Sequence, residues 1–221
     1  MSKPENGGQL AAVLFDCDGV LVDSEVLTNQ LIRDDLADHG LELSLEQTMD
    51  HFVGSTMWGV AEKAVGMGAT LPDDWIPTFY AKMYDVMADK VEAVPGAADL
   101  LDRLIDVGIQ VAVGSNGPVS KMDITLNKTD LMSRVSPHVY SAQDLANPKP
   151  APDVYLHAAE RLGVSPEVCI VVEDSVSGAK AAVAAGMRCI GFAAIGQQAE
   201  LAPHCIFTVR SMQELGERLG V

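Results

Sequence analysis

The chain has 221 residues, 48% of them hydrophobic, and carries 15 Lys and Arg against 31 Asp and Glu for a formal net charge of −16. That length fits one ordinary domain with an insert, or two small domains. The acidic excess, with no basic stripe to offset it, opposes binding to nucleic acid or to an anionic membrane surface, and no window approaches a bilayer span.

Residues 1–10 are polar, contain Gly and Pro, and lack an apolar h-region; a loose tail without a secretory signal is expected. The first strand is expected over Ala11–Phe15, running into Asp16-Cys17-Asp18-Gly19-Val20-Leu21-Val22-Asp23-Ser24-Glu25. In a pleated strand, residues i and i+2 point the same way, so Asp16 and Asp18 start on one side and repel each other. Such crowding is unfavourable without a cation or a shared proton. It suits a hard divalent metal held beside a reactive carboxylate. The plainer alternative is a strand that ends in an Asp-Gly turn. Cys17, at the odd offset, points the other way and is expected to pack.

Between residues 24 and 91 the pattern is helical, over Val26–His39, Leu45–His51, Met57–Val65 and Trp75–Asp89, with no convincing strand. Gly40, Gly54, Gly66, Gly68 and Pro72 punctuate it. An all-helical insert that returns at Val94-Pro95-Gly96 reads as a second small domain. The division is then a core of 11–23 and 92–221 and a helical cap of 24–91. The insert leaves from the carboxyl edge of the first strand, where ligands of open parallel sheets bind, and is expected to act as a lid. Trp58, Trp75, Met67, Met83 and Met87 are expected to pack inside it, and Lys63 and Lys82 to be solvated.

Beyond the insert, Ala97–Val107 places Leu100, Leu101, Leu104 and Ile105 on one helical stripe. The strand Ile109–Val113 ends in Gly114-Ser115-Asn116-Gly117, whose side chains and N–H groups suit phosphate oxygens, or make a plain turn into a helix. Val135–Tyr140 is a further strand or a loop. In Asn147-Pro148-Lys149-Pro150-Ala151-Pro152-Asp153, prolines fix the backbone around one lysine ahead of the helix Asp153–Leu162. That lysine is a positioned ammonium or a solvated loop residue. On the helix, Val154, Leu156, Ala159 and Leu162 form the expected apolar stripe. The strand Cys169–Val172 ends in Glu173-Asp174-Ser175, a helix cap or a set of metal ligands. Gly178, the helix Ala179–Ala185 and the strand Cys189–Phe192 follow.

Strands alternating with helices indicate an α/β fold, a Rossmann-like parallel sheet with helices on both faces. The four cysteines show no CxxC pair, the state of reduced thiols in a cytoplasmic protein. The five histidines show no metal spacing, and there is no GxxxxGK[ST]. Taken together, one sheet edge carries Asp16, Asp18, Glu173 and Asp174. Unpaired carboxylates in a partly dry cleft cost several kcal/mol each. A divalent ion and Lys149 relieve that cost, and the same cations receive a phosphate.

These motifs, in chain order, resemble the haloacid dehalogenase-like hydrolase superfamily. DCDGVLVDSE is similar to its branch with a small helical cap. SNGP followed by KM, together with EDSVSGAKAA, is similar to bacterial sugar-phosphate phosphatases, those for 6-phosphogluconate-like substrates among them, and beta-phosphoglucomutase shares the frame. The resemblance implies Asp16 as nucleophile, forming an aspartyl-phosphate, and Asp18 as the acid and base. It implies Mg²⁺ bound by Asp16, the backbone carbonyl of Asp18 and Asp174, with Glu173 a direct or outer partner. Ser115, Asn116 and Lys149 would hold the phosphoryl group, with Glu25 and Thr56 as further substrate contacts. His51 to Trp58 falls where the family places a specificity loop. Ser55 and Thr56 stand there in place of the arginine or lysine expected of a mutase. A small phosphorylated metabolite and a monomer or weak dimer are the partners implied; a phosphosugar isomerase and a non-catalytic binding protein are the alternatives.

Overall fold

The computed structural model describes residues 10–53, 55–194 and 198–221. They divide into two compact units, Met1–Val22 with Glu92–Val221, and Asp23–Val91. Gly54, within the loop assigned to specificity, lies outside the described residues, as do residues 1–9 of the expected tail.

The larger unit is built on β1 (Ala12–Phe15), whose four residues are all buried. A continuous apolar run of this kind belongs to a parallel strand covered on both faces. The chain leaves this unit through β2 (Val22–Asp23) and crosses the smaller unit in α1 (Glu25–Asp38), α2 (Leu45–Phe52), α3 (Met57–Gly66) and α4 (Trp75–Lys90). It returns in β3 (Glu92–Ala93), which pairs with β2 in a two-stranded ribbon. Then follow α5 (Ala97–Asp106), β4 (Gln110–Ser115), α6 (Val119–Lys128), α7 (Met132–Val135), β5 (Val139–Ser141), α8 (Asp153–Leu162), β6 (Cys169–Glu173), α9 (Val176–Ala184) and β7 (Arg188–Phe192). The last elements are α10 (Gln198–Leu201), β8 (Phe207–Val209) and α11 (Met212–Leu219). The six-stranded sheet runs β5-β4-β1-β6-β7-β8, all parallel.

The register puts Phe15 opposite Val113 and Val172, so the carboxyl ends of β1, β4 and β6 lie side by side on one edge of the sheet. On one face of the sheet, Ala12, Leu14, Val171 and Cys189 pack with Tyr155, Ala158, Ala181 and Ala182 in a single apolar cluster. Among the described residues no helix is long and apolar enough to cross a membrane.

Several expectations are corrected. The run Val135–Tyr140 splits into the end of α7 and the start of β5, because Pro137 between them has no N–H to give a ladder. On α8 the buried stripe is Val154, Tyr155, Ala158, Ala159 and Leu162, while Leu156 is 40% exposed. Tyr155, absent from the expected stripe, takes the inward place. Beyond Phe192, where the sequence reading stops, β8 and α11 extend the sheet and its cover.

In the helical unit Trp75, Met83 and Met87 are buried, but Trp58 is 77% exposed and Met67 is 38% exposed, so neither packs as expected. Lys82 is not simply solvated: its ammonium lies 3.0 Å from Asp35 Oδ1, while Trp75 Nε1 donates to Asp35 Oδ2 at 2.6 Å. Lys63 donates to His51 O and to Ser55 Oγ, each at 3.0 Å. The loop that reads as lacking a cation therefore receives one from the next helix.

Candidate active site

Three strand tips supply the site. Asp16 follows β1 directly, and its N–H donates to Val172 O at 3.0 Å, tying it to β6. The chain then turns back, with Leu21 N and Val22 N donating to Cys17 O at 2.9 and 3.0 Å, and Gly19 N to Val22 O at 2.9 Å. Gly19 sits at φ +76°, and a Cβ there would overlap the Asp174 carboxylate. Glycine is needed at this turn for both reasons. One carboxylate oxygen from each of Asp16, Glu173 and Asp174 falls within 4.8 Å of the others.

Lys149 lies among them. Its ammonium donates to Asp16 Oδ1 at 2.7 Å and to Glu173 Oε1 at 2.6 Å, and the side chain is buried. Asn116 holds the lysine backbone from both sides: its Oδ1 accepts from Lys149 N at 2.9 Å and its Nδ2 donates to Lys149 O at 3.4 Å. The amide expected to grip phosphate is thus committed to placing the lysine. Ser115 is buried at the tip of β4, where its Oγ accepts from Gly117 N at 3.0 Å. The loop is braced by Ser141 Oγ, which donates to Gly117 O at 2.7 Å, and by Gln143 Nε2, which donates to Asn116 O at 3.0 Å.

Glu173 is fully buried, and four donors meet it. Its Oε1 accepts from Lys149 and from Tyr155 Oη at 2.6 Å; its Oε2 accepts from Ser175 N at 3.2 Å and Ser175 Oγ at 2.9 Å. The same Ser175 Oγ caps α9 by accepting from Gly178 N at 3.0 Å. Gly178 lies inside that helix, not before it, and any Cβ there would overlap the Glu173 carboxylate. The Tyr155 ring lies 4.8 Å from the Lys149 ammonium, a distance at which the ring face attracts a cation.

Burial pushes the Asp16 carboxyl up to about 7, with Lys149 opposing and Glu173 and Asp18 adding to the rise. Burial works against the Lys149 charge, but Asp16 and Glu173 outweigh it and hold its pKa above the usual lysine value. Burial, with Glu173 next, also raises the Tyr155 hydroxyl, which keeps it a donor. At the mouth, Lys121 on α6 donates to Asp18 Oδ1 at 2.7 Å.

Of the residues read from sequence, the structure gathers Asp16, Asp18, Ser115, Asn116, Lys149, Glu173 and Asp174 in the larger unit. Glu25 and Thr56 belong to the helical unit. There Glu25 opens α1, its carboxyl raised by burial and by Asp23, while Thr56 Oγ1 caps α3 by accepting from Gly59 N at 3.2 Å. Two members of the cluster were missed. Lys121 had a faint signal, a lysine one turn into the helix after SNGP in a lysine-poor chain. Tyr155 had none, because a tyrosine on an amphipathic helix reads as boundary.

A family profile of the haloacid dehalogenase-like hydrolases matches residues 13–192. The chain belongs to that family. It is 31% identical over 191 residues to the 6-phosphogluconate phosphatase of Escherichia coli K12, with 84% of each chain covered. Another relative of matching length is also a phosphatase. This chain is also 35% identical over 194 residues to the protein SUPPRESSOR OF QUENCHING 1 of Arabidopsis thaliana, of which the match spans 18%. Among solved structures, a hydrolase of the family from Deinococcus radiodurans R1 with bound phosphate and sodium superposes with a TM-score of 0.85 at 34% identity, covering 96% of this chain and 95% of that one.

Proposed function

We propose that the protein is a Mg²⁺-dependent phosphomonoesterase for a small sugar or sugar-acid phosphate, working through an aspartyl-phosphate on Asp16. The observation that carries this reading is the Lys149 ammonium bridging Asp16 and Glu173, beside a third carboxylate from Asp174. A cluster of hard oxygen donors fits Mg²⁺. Four donors already occupy Glu173, so the ligands we assign are Asp16, Asp174 and the backbone carbonyl of Asp18, with Glu173 anchoring Lys149. When bound, the ion supplies neutralisation of phosphoryl charge.

The residues divide the remaining work. Asp16 attacks phosphorus as the bond to the leaving oxygen breaks, and Asp18 delivers a proton to that oxygen. Asp18 then takes a proton from water as the aspartyl-phosphate is hydrolysed and inorganic phosphate leaves. Lys149 offsets charge on the transferring group, and Ser115 with the N–H groups after it receives phosphoryl oxygens. Positioning and charge neutralisation supply most of what phosphoryl transfer needs. The likeness to the 6-phosphogluconate phosphatase supports the substrate class.

One observation favours a second reading, a phosphosugar isomerase: Lys63 brings a cation to Ser55 in the loop assigned to specificity. Product separates the two. A screen of phosphorylated metabolites with Mg²⁺ should release inorganic phosphate; an isomeric sugar phosphate without phosphate release overturns the phosphatase. Asp16→Asn should abolish turnover, and so should EDTA. Undiminished activity in either case overturns the mechanism.

A further inference from the structure

The four cysteines carry no pairing pattern in the sequence, yet the fold brings two of them into contact. Cys189 lies on β7, and Cys205 follows the single-turn helix Ala202–His204 just ahead of β8. The register of these strands, Ile190 opposite Phe207, and the bond from Ile206 N to Cys189 O at 2.8 Å bring the turn that carries Cys205 close to Cys189. The two sulfurs are 3.7 Å apart. Gly191 makes the space, since a Cβ at that position would stand 3.2 Å from Cys205 Sγ.

The two thiols differ in access. Cys189 is 1% exposed, whereas Cys205 is only partly buried, the less enclosed of the two. Cys17 and Cys169 are both buried, with no sulfur partner among the described residues. We propose that Cys205 and Cys189 form a reversible disulfide, with Cys205 the thiol that meets the oxidant, a hydroperoxide, and Cys189 the thiol that resolves it.

The electron count closes. The Cys205 thiolate attacks the outer peroxide oxygen, the O–O bond breaks, and an alcohol or water leaves; Cys205 is now a sulfenic acid. The Cys189 sulfur attacks the Cys205 sulfur, the S–S bond forms and the S–O bond breaks, and the departing hydroxide leaves as water with the Cys189 proton. Two thiols are oxidised and one peroxide is reduced. The contact with Cys189 lowers the Cys205 pKa, while that contact and then burial raise that of Cys189. The less enclosed sulfur is therefore the one favoured as a thiolate, the nucleophilic form. A disulfide has a sulfur separation of about 2.0 Å. Cys189 is fixed in the strand ladder, so the segment bearing Cys205 makes most of that approach.

This inference is independent of the phosphatase reading, and its test uses no turnover. The folded, full-length protein is exposed to hydrogen peroxide, then alkylated and mapped by mass spectrometry. The expected product is lighter by two hydrogens, has two thiols protected, yields a peptide linking residues 189 and 205, and reverts on treatment with dithiothreitol. Cys189→Ser, or Cys189→Ala if the first variant folds poorly, should leave a sulfenic acid on Cys205 that dimedone traps. Cys205→Ser should form neither species in the same time. A linkage or adduct at Cys17 or Cys169 overturns the proposal, as does sulfinic acid on Cys205 of the unaltered protein without the link, or no reaction.

Discussion

Lys121 on α6 and Asp18 beyond β1 are 103 residues apart in sequence, and their side chains meet at 2.7 Å. Lys121 is mostly buried, while the Asp18 side chain is 30% exposed, so the contact ties a carboxylate with room to swing to a fixed helix. If Asp18 is the general acid, the variant Lys121→Met should lose activity in proportion to how much the leaving group needs a proton. General acid–base catalysis is worth ~10²–10⁴-fold. The loss on an alkyl phosphate should therefore exceed that on p-nitrophenyl phosphate by roughly tenfold or more, in kcat and not in KM, with Lys121→Arg restoring part of it. Equal losses on both substrates would show Lys121 acting elsewhere.

Removing Lys149 should damage the fold as well as the chemistry. Asp16 and Glu173 would then face each other in a buried site without their shared cation. Breaking a buried charge pair from one side costs about 3–5 kcal/mol. Lys149→Met should lower the unfolding free energy by that order in denaturant titration. Added Mg²⁺ should recover part of the loss, because it replaces the missing positive charge. A variant as stable as the unaltered protein would mean that the three groups are not mutually dependent.

The pH dependence of stability isolates Asp16. Its carboxyl is raised to about 7 in the folded, metal-free protein from the 3.8 of an ordinary aspartate. From about pH 4 to 7 the folded state holds a proton that the unfolded chain has released. Stability then falls as pH rises through this window, by up to roughly 1.4 kcal/mol per pH unit. Asp16→Asn removes that contribution. In EDTA, the unfolding free energy of the unaltered protein minus that of the variant should decline between pH 4 and 7, and a rise would contradict a carboxyl whose burial outweighs its pairing with Lys149.

How much of this was legible in the sequence depends on the range of each signal. β1 and β6 were readable because a parallel strand buried on both faces is a continuous apolar run, and the acids at their tips follow at once. Lys149 was readable because prolines on both sides of a lysine are a local feature. What joins Lys121 to Asp18, or Tyr155 to Glu173, is register between elements far apart in the chain, and no local pattern records it. Ser115 and Asn116 show the middle case: the motif located the loop, but only the hydrogen bonds from Asn116 to Lys149 separate the residue that places the lysine from its neighbour. Trp58 failed for a different reason, since composition alone favours burying a tryptophan and says nothing of which helix face is covered.

Gly178 gives the sharpest test of the buried network. It occupies the first turn of α9, where alanine has the higher helix propensity by ~1 kcal/mol. Local preference therefore predicts that Gly178→Ala is stabilising. The Glu173 carboxylate fills the space a Cβ would take, and its four donors leave it no other position that keeps them satisfied. Overpacking of this kind typically costs roughly 1–3 kcal/mol, and displacing Glu173 also unseats Lys149. Gly178→Ala should thus lower the thermal midpoint and reduce kcat, whereas alanine at an exposed glycine of α3, Gly66, where nothing lies within 4 Å of a new Cβ, should do neither. If both substitutions stabilise, the Glu173 carboxylate does not occupy the place assigned to it.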